Sequence, residues 1–353
     1  MNRRALVSAS GSPRRQQRGL TLIELMIALV IGLLIVAAVS ILFAGSSRAR
    51  QEIESSAEVN EGGRYALDVL SRELSQTGFY GSLVTPQAAT TAIPSGTMTV
   101  ANAMCLTGIA NLGAWQDSLI YYVLGLGSAA GANIDADPTC IARKAGTDAI
   151  FIQRASTCAI GDPGCPAESS ADAFLQISEC GTEYSATPLV LAQGSSGAST
   201  FNLQTKACDG TAAPKRKLVR RIYFISAANA LSYQDIPLVG ALPPAVVLAE
   251  NIEQMQIEYA FDTNSDGTPD VFAAAPNPPP GAAPNTDWTQ VIGVRIWLLA
   301  RSSDPSQNTK NAATFVLGSD TTVSVAANAA GNPKRRAYST YISFVTPKAR
   351  RES

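Results

Sequence analysis

The densest group of hard oxygen ligands in the chain is DTNSDGTPD, residues 262 to 270. Asp262, Asn264 and Asp266 alternate, Gly267 permits a sharp turn, the Thr268 carbonyl follows and Asp270 closes the run. That order matches the first nine positions of a calcium loop. Ala273 stands where an EF-hand places its bidentate glutamate, and the flanking residues read as strands. Two readings therefore stand side by side. One is an acidic turn between two strands, since Asp, Asn, Ser and Gly are the residues such turns use. The other is a weak calcium clamp of the kind found in extracellular modules. Calcium is the sole candidate cofactor.

Other chemistry is sparse. With no histidine anywhere, the commonest general base and all His-containing triads and metal sites are excluded. No catalytic constellation emerges, and the chain is not expected to be an enzyme. The six cysteines, Cys105, Cys140, Cys158, Cys165, Cys180 and Cys208, form an even set without a Cys-x-x-Cys pair. They read as structural disulfides of an oxidising compartment. Cys158 and Cys165 flank the turn-like Gly161-Asp162-Pro163-Gly164, which favours that bridge; the pairing of the other four stays open. The basic residues Lys334, Arg335, Arg336, Lys348, Arg350 and Arg351 lack an interleaved aromatic platform. They read as solvated ends of a strand and a tail, and nucleic acid is not expected as a partner.

The elements that must position these groups begin with a membrane segment. From Leu25 to Ala44 the chain carries no charge, and twenty helical residues span about 30 Å, the thickness of a bilayer's hydrocarbon core. Arg3, Arg4, Arg14, Arg15 and Arg18 precede it with no acid among them, so the N-terminus is expected in the cytoplasm and the rest outside. Without those five the chain is mildly acidic, which fits no general nucleic-acid footprint. Glu24 is the anomaly: a carboxylate one turn into an apolar helix is unfavourable unless it is paired.

Residues 45–78 are expected to continue the helix. Ile53, Ala57, Leu67, Leu70 and Leu74 recur near helical spacing, and Asp68 and Arg72 are placed for an i,i+4 pair. Gly62-Gly63 predicts a bend or local melting, and Gly78 an end. Residues 79–353 are expected to form a β-rich head. Within it, 82–215 reads as an Ala/Gly/Ser/Thr-rich insertion with short strands at SLIYYVL, AIFIQR, FLQIS and LVLAQ. Longer strands follow over 217–346 at KLVRRIYFIS, NALSYQ, IEQMQIEYAFD, WTQVIGVRIWLLARS and RAYSTYISFV, with PNPPPGAAPN (276–285) as a loop. The fold class is α+β: a long N-terminal helix packed on an antiparallel sheet, with a disulfide-stapled insertion.

The N-terminal stretch RGLTLIEL resembles the type IV prepilin signal. The resemblance implies a cytoplasmic leader over 1–19, peptidase cleavage between Gly19 and Leu20, methylation of Leu20, and a transmembrane helix over 20–44. It also implies that Glu24 pairs with the N-terminal amine of a neighbouring subunit as helices bundle. Farther on, LAENIEQMQIEYAFDTNSDGTPD, DWTQVIGVRIWLLARS and KRRAYSTYISF, with the earlier RYALDVLSRELSQTGFYG, resemble the PilW family of minor type IV pilins. That resemblance implies a pilin-like fold and a place in a tip or priming complex serving adhesion, twitching motility or DNA uptake. The implied partners are prepilin peptidase, other minor pilins, the major pilin, the inner-membrane assembly platform and a large tip adhesin. The alternatives are a minor pseudopilin of a type II secretion system and a membrane-tethered periplasmic enzyme.

Overall fold

The computed structural model describes residues 19, 21–83, 104–111, 115, 116, 118–127, 140–274, 287–306, 308–319 and 321–351. The proline-rich loop at 276–285, residues 1–18 of the leader and Leu20 lie outside these. The chain divides into two compact units, residues 1–54 and 55–353. Helix α1, Leu22–Ser75, contributes residues to both.

In the first unit the helix exposes large apolar side chains from Leu22 to Phe43. By length and composition it is able to cross a membrane. The bilayer is the solvent that such a surface matches.

In the second unit the last turns of α1 bury Val59, Gly63, Ala66, Leu70 and Leu74. Their spacing of three and four places them on one stripe. That stripe corrects the expected one in two respects. Ile53 and Ala57, expected on it, are exposed. Gly62-Gly63 does not melt the helix, which runs through both. Gly63 is there for a packing reason: a β-carbon on it would lie 2.2 Å from Cε2 of Tyr338. The helix stops at Ser75, and Gly78 turns the chain at φ +75°, where side-chain-bearing residues are strained.

The head holds two antiparallel sheets and a hairpin. The first comprises β1 (Val123–Leu126), β2 (Ala149–Ala159), β3 (Ala173–Ile177), β4 (Leu189–Gln193), β5 (Lys215–Ile225), β6 (Leu231–Asp235) and β7 (Val246–Ala249). Their order is β1-β2-β5-β3-β4, with β6 on the far half of β5 and β7 outside β6. The second comprises β8 (Ile252–Phe261), β9 (Val271–Ala273), β10 (Val291–Ser306) and β13 (Asn332–Ser343), in the order β13-β10-β8-β9. The hairpin pairs β11 (Ala313–Leu317) with β12 (Thr321–Val325). Among the described residues the head also carries the short α-helices α2 (Gly181–Tyr184) and α3 (Val345–Arg351).

The compositional boundary near residue 215 is not a spatial one. It falls at the start of β5, which pairs with β2 and β3 from the Ala/Gly-rich stretch and with β6 from the later one. One apolar cluster runs through both sheets, with Leu70 and Leu74 of α1, Trp115, Phe151, Tyr223, Tyr259, Trp288 and Phe344 all buried. At its centre the Tyr259 and Trp288 rings meet edge to face at 5.0 Å, against Gly125 of β1. A β-carbon at Gly125 would fall 2.0 Å from the Tyr259 hydroxyl, so only glycine fits there.

Candidate functional site

At the N-terminal end Gly19 is exposed and Thr21 caps α1. The Thr21 carbonyl accepts the first helical bond from Leu25 N at 3.1 Å, and its Oγ1 accepts from Glu24 N at 3.4 Å. Thr21-Leu-Ile-Glu24 is thus a capping-box sequence, with the acid at the position where the helix dipole favours negative charge. This gives Glu24 a local role besides any role between subunits. The Ser/Thr-x-x-Glu spacing before an apolar run is the signal for it. Glu24 is exposed.

The acidic run 262–270 joins β8 to β9 as a hairpin, with Phe261 opposite Val271. Its carboxylates are engaged by the loop's own donors. Asp262, fully buried, accepts from the backbone N–H groups of Ser265 (2.6 Å) and Asp266 (3.2 Å) through Oδ1, and of Gly267 (2.9 Å) through Oδ2. The Arg351 guanidinium lies 3.4 Å from the same Oδ2. Asp266 accepts from both the hydroxyl and the N–H of Thr268, which holds its carboxyl below the usual range. Asp270 accepts from the hydroxyl and N–H of Thr263, with the same effect. Asn264 Nδ2 donates to Asp266 at 3.1 Å. Among the described residues no group of three or more acidic, Cys or His side chains is arranged to hold a metal ion. This pattern of hydrogen bonds is that of a self-closed acidic turn.

Five of the six C-terminal basic residues, Lys334, Arg335, Arg336, Arg350 and Arg351, are tied to specific partners, contrary to the expectation of solvated ends. Arg351 donates to the Asp262 carbonyl (2.8 Å), Ser265 Oγ (3.1 Å) and the Thr289 carbonyl (2.7 Å), tying α3 to the acidic turn. Arg350 donates to the Leu83 carbonyl. Arg335 pairs with Glu253 at 2.6 Å, and Lys334 and Arg336 reach Ser56 and Asn60 on α1. Three of these basics therefore clamp the sheet edge, two of them onto the helix. The residues sequence reasoning misses are their partners, which lie too far away in sequence to signal the contact.

A second clamp holds the other side of the helix. Glu73 accepts from Arg154 (3.2 Å), Arg221 (3.3 Å) and the Tyr223 hydroxyl (3.1 Å). Arg221 also pairs with Asp235 at 2.7 Å and stacks over Tyr233. The expected Asp68–Arg72 pair is present on the exposed face.

All six cysteines are bridged: Cys105–Cys140, Cys158–Cys165 and Cys180–Cys208. The short bridge closes the turn at the end of β2, whereas the other two close longer loops, of sequence separation 35 and 28.

Two family models match the chain. One, "Type IV Pilus-assembly protein W", covers residues 222–345. The other, "Prokaryotic N-terminal methylation motif", covers 14–40. No curated protein matches. Among solved structures a type IV-like pilin from Thermus thermophilus is similar at 13% identity, with 81% of this chain and 97% of that chain covered and a TM-score of 0.34.

Proposed function

We propose that this chain is a PilW-type minor pilin of a type IV pilus, as the two matching family models support, and a subunit of a tip or priming complex. It is made as an inner-membrane precursor with its C-terminal domain in the periplasm. Prepilin peptidase cuts between Gly19 and Leu20, and Leu20 is then methylated. The observation that carries this reading is the combination in one helix of a membrane-matched apolar surface, whose one charged residue is Glu24, with a buried stripe from Val59 to Leu74 in the second unit.

The mechanism is assembly. A carboxylate in hydrocarbon is strongly unfavourable, so helices that bring an amine to Glu24 are selected and their axial register is fixed. The amine of a processed neighbour meets that need. The partners are the major pilin, other minor pilins, the assembly platform in the inner membrane and a large tip adhesin. A bulky head spanning 79–353 suits a position at an end, where it is not repeated along a packed shaft.

The test is genetic and biochemical together. Deleting the gene is expected to reduce surface piliation several-fold, with the chain recovered in sheared pili of the wild type and Glu24→Ala failing to complement. Normal piliation in the deletion strain, with loss of protein secretion instead, overturns the pilus assignment.

A further inference from the structure

The edge strand β7 pairs with β6 on one side and with no other described strand. Two adjacent residues on it, Val246 and Val247, are 44% and 54% exposed. Neighbouring residues of a strand point to opposite faces, so both faces of this edge are open as well as its free backbone groups. Two other edges are treated differently, whereas the three-residue edge strand β9 is, like β7, uncharged and exposes Val271. All four residues of β1 are buried, and β13 carries the basic run that is tied to α1 and Glu253. Charge or cover of that kind is how proteins suppress edge pairing, and β7 itself carries no charge.

Leu248 and Ala249, at the end of β7, also line a groove of about 520 Å³ within the head. Glu58, Glu61 and Glu250 line it too, with Arg301 as its one cation and Tyr65 beside them. Glu58 is occupied by Asn251 and Ser303. Glu61 and Glu250 are exposed and, among the described residues, not ion-paired. A chain laid along β7 therefore runs at its Ala249 end into a groove with an excess of negative charge.

We propose that β7 is a strand-addition site for an extended segment of a different polypeptide, one carrying Lys or Arg beside the residues that pair. Main-chain bonds to β7 supply the affinity, Val246 and Val247 give the segment apolar contacts on both faces, and Glu61 and Glu250 select its basic residue. This surface goes beyond the assembly role inferred above, because it uses neither the N-terminal signal nor Glu24.

The experiment places p-benzoylphenylalanine at Val246 of the full chain in the producing cells, and at Thr314 of β11 as an exposed control. After irradiation, the crosslinked residues are mapped by mass spectrometry. The expected product joins position 246, and not 314, to an extended segment of another protein with Lys or Arg within about three residues. Its yield should fall at least five-fold in Glu61→Lys/Glu250→Lys with the thermal midpoint unchanged. No position-specific product, a product with a second copy of this chain, or one insensitive to the charge reversal overturns the proposal. Leader removal is read from the same sample, so a processed chain without the crosslink rejects this site and leaves the minor-pilin reading intact.

Discussion

The ring of Tyr338 on β13 fills the space where a side chain on Gly63 would begin, and its hydroxyl is anchored to the preceding turn of α1. The hydroxyl lies 3.1 Å from the Val59 carbonyl and 2.9 Å from Asn60 Oδ1. The glycine that looks like a flaw in the helix is thus the seat of a close sheet contact.

This relationship decides the sign of a substitution. On helix propensity alone Gly63→Ala gains about 1 kcal/mol. The clash with an anchored ring acts against it, and overpacking of this kind costs roughly 1–3 kcal/mol. Gly63→Ala is expected to lower the unfolding midpoint of the detergent-solubilised chain, and to become neutral or stabilising in a Tyr338→Ala background. A loss of the same size in both backgrounds would refute the contact as the cause.

The acidic turn should respond unequally to its carboxylates. Asp262→Asn turns one of two buried acceptor oxygens into an NH2 donor that faces at least one backbone N–H, and it removes the counter-ion of Arg351, so it is expected to destabilise by roughly 3–5 kcal/mol. Asp266→Asn, on the exposed side of the turn, should have a far smaller effect. Because the turn's own donors close it, chelator and millimolar calcium should give closely similar midpoints. A calcium-dependent rise that disappears in Asp266→Ala would instead establish the cation clamp.

The disulfides should differ in weight. Chain entropy gives about 2.5 kcal/mol for a bridge of sequence separation 7 and about 3.6 and 3.8 kcal/mol for separations of 28 and 35. Replacing Cys158 and Cys165 by Ser should therefore be tolerated best of the three pairs, measured as folded yield in the periplasm. Equal loss of yield for all three would show that the bridges do not act through loop closure.

Acid should loosen the head below about pH 4. The carboxyl of Glu183 is held low by Ser178 and Gln204, that of Asp209 by Thr211, and those of Asp266 and Asp270 by Thr268 and Thr263. Burial works to raise Glu253, but the Arg335 bond and charge outweigh it. Each folded-state pKa lies below its unfolded value. Their stabilisation is therefore complete above the unfolded carboxylate range and is lost as pH falls through the folded values. Unfolding midpoints should be flat from about pH 5 to 7 and fall below about pH 4. A Thr268→Val variant should move the Asp266 titration, followed by NMR, upward toward the ordinary value.

What is legible in the sequence follows from the range of the forces. The α+β class, most of the long strands and LVLAQ as β4 are written in local alternation and turn residues. The strands β7, β9, β11 and β12 are short, and several are exposed, so they lack an apolar pattern to announce them. The buried stripe of α1 departs from the one hydrophobicity marks partly because Gly63 makes its contact without a side chain, which no apolar pattern records. The basic C-terminus looks solvated because Asp262, Glu253 and Asn60 are brought to it only by the sheet.

Assembly as a pilin depends first on the fate of the leader. Intact mass and N-terminal sequencing of the membrane-extracted protein, made with and without prepilin peptidase, test it directly. The predicted result is a chain that begins at a methylated Leu20 when the peptidase is present and keeps residues 1–19 when it is absent. A leader left intact in both, or removed at another bond, would contradict assembly as a pilin and return the chain to the class of tethered periplasmic proteins.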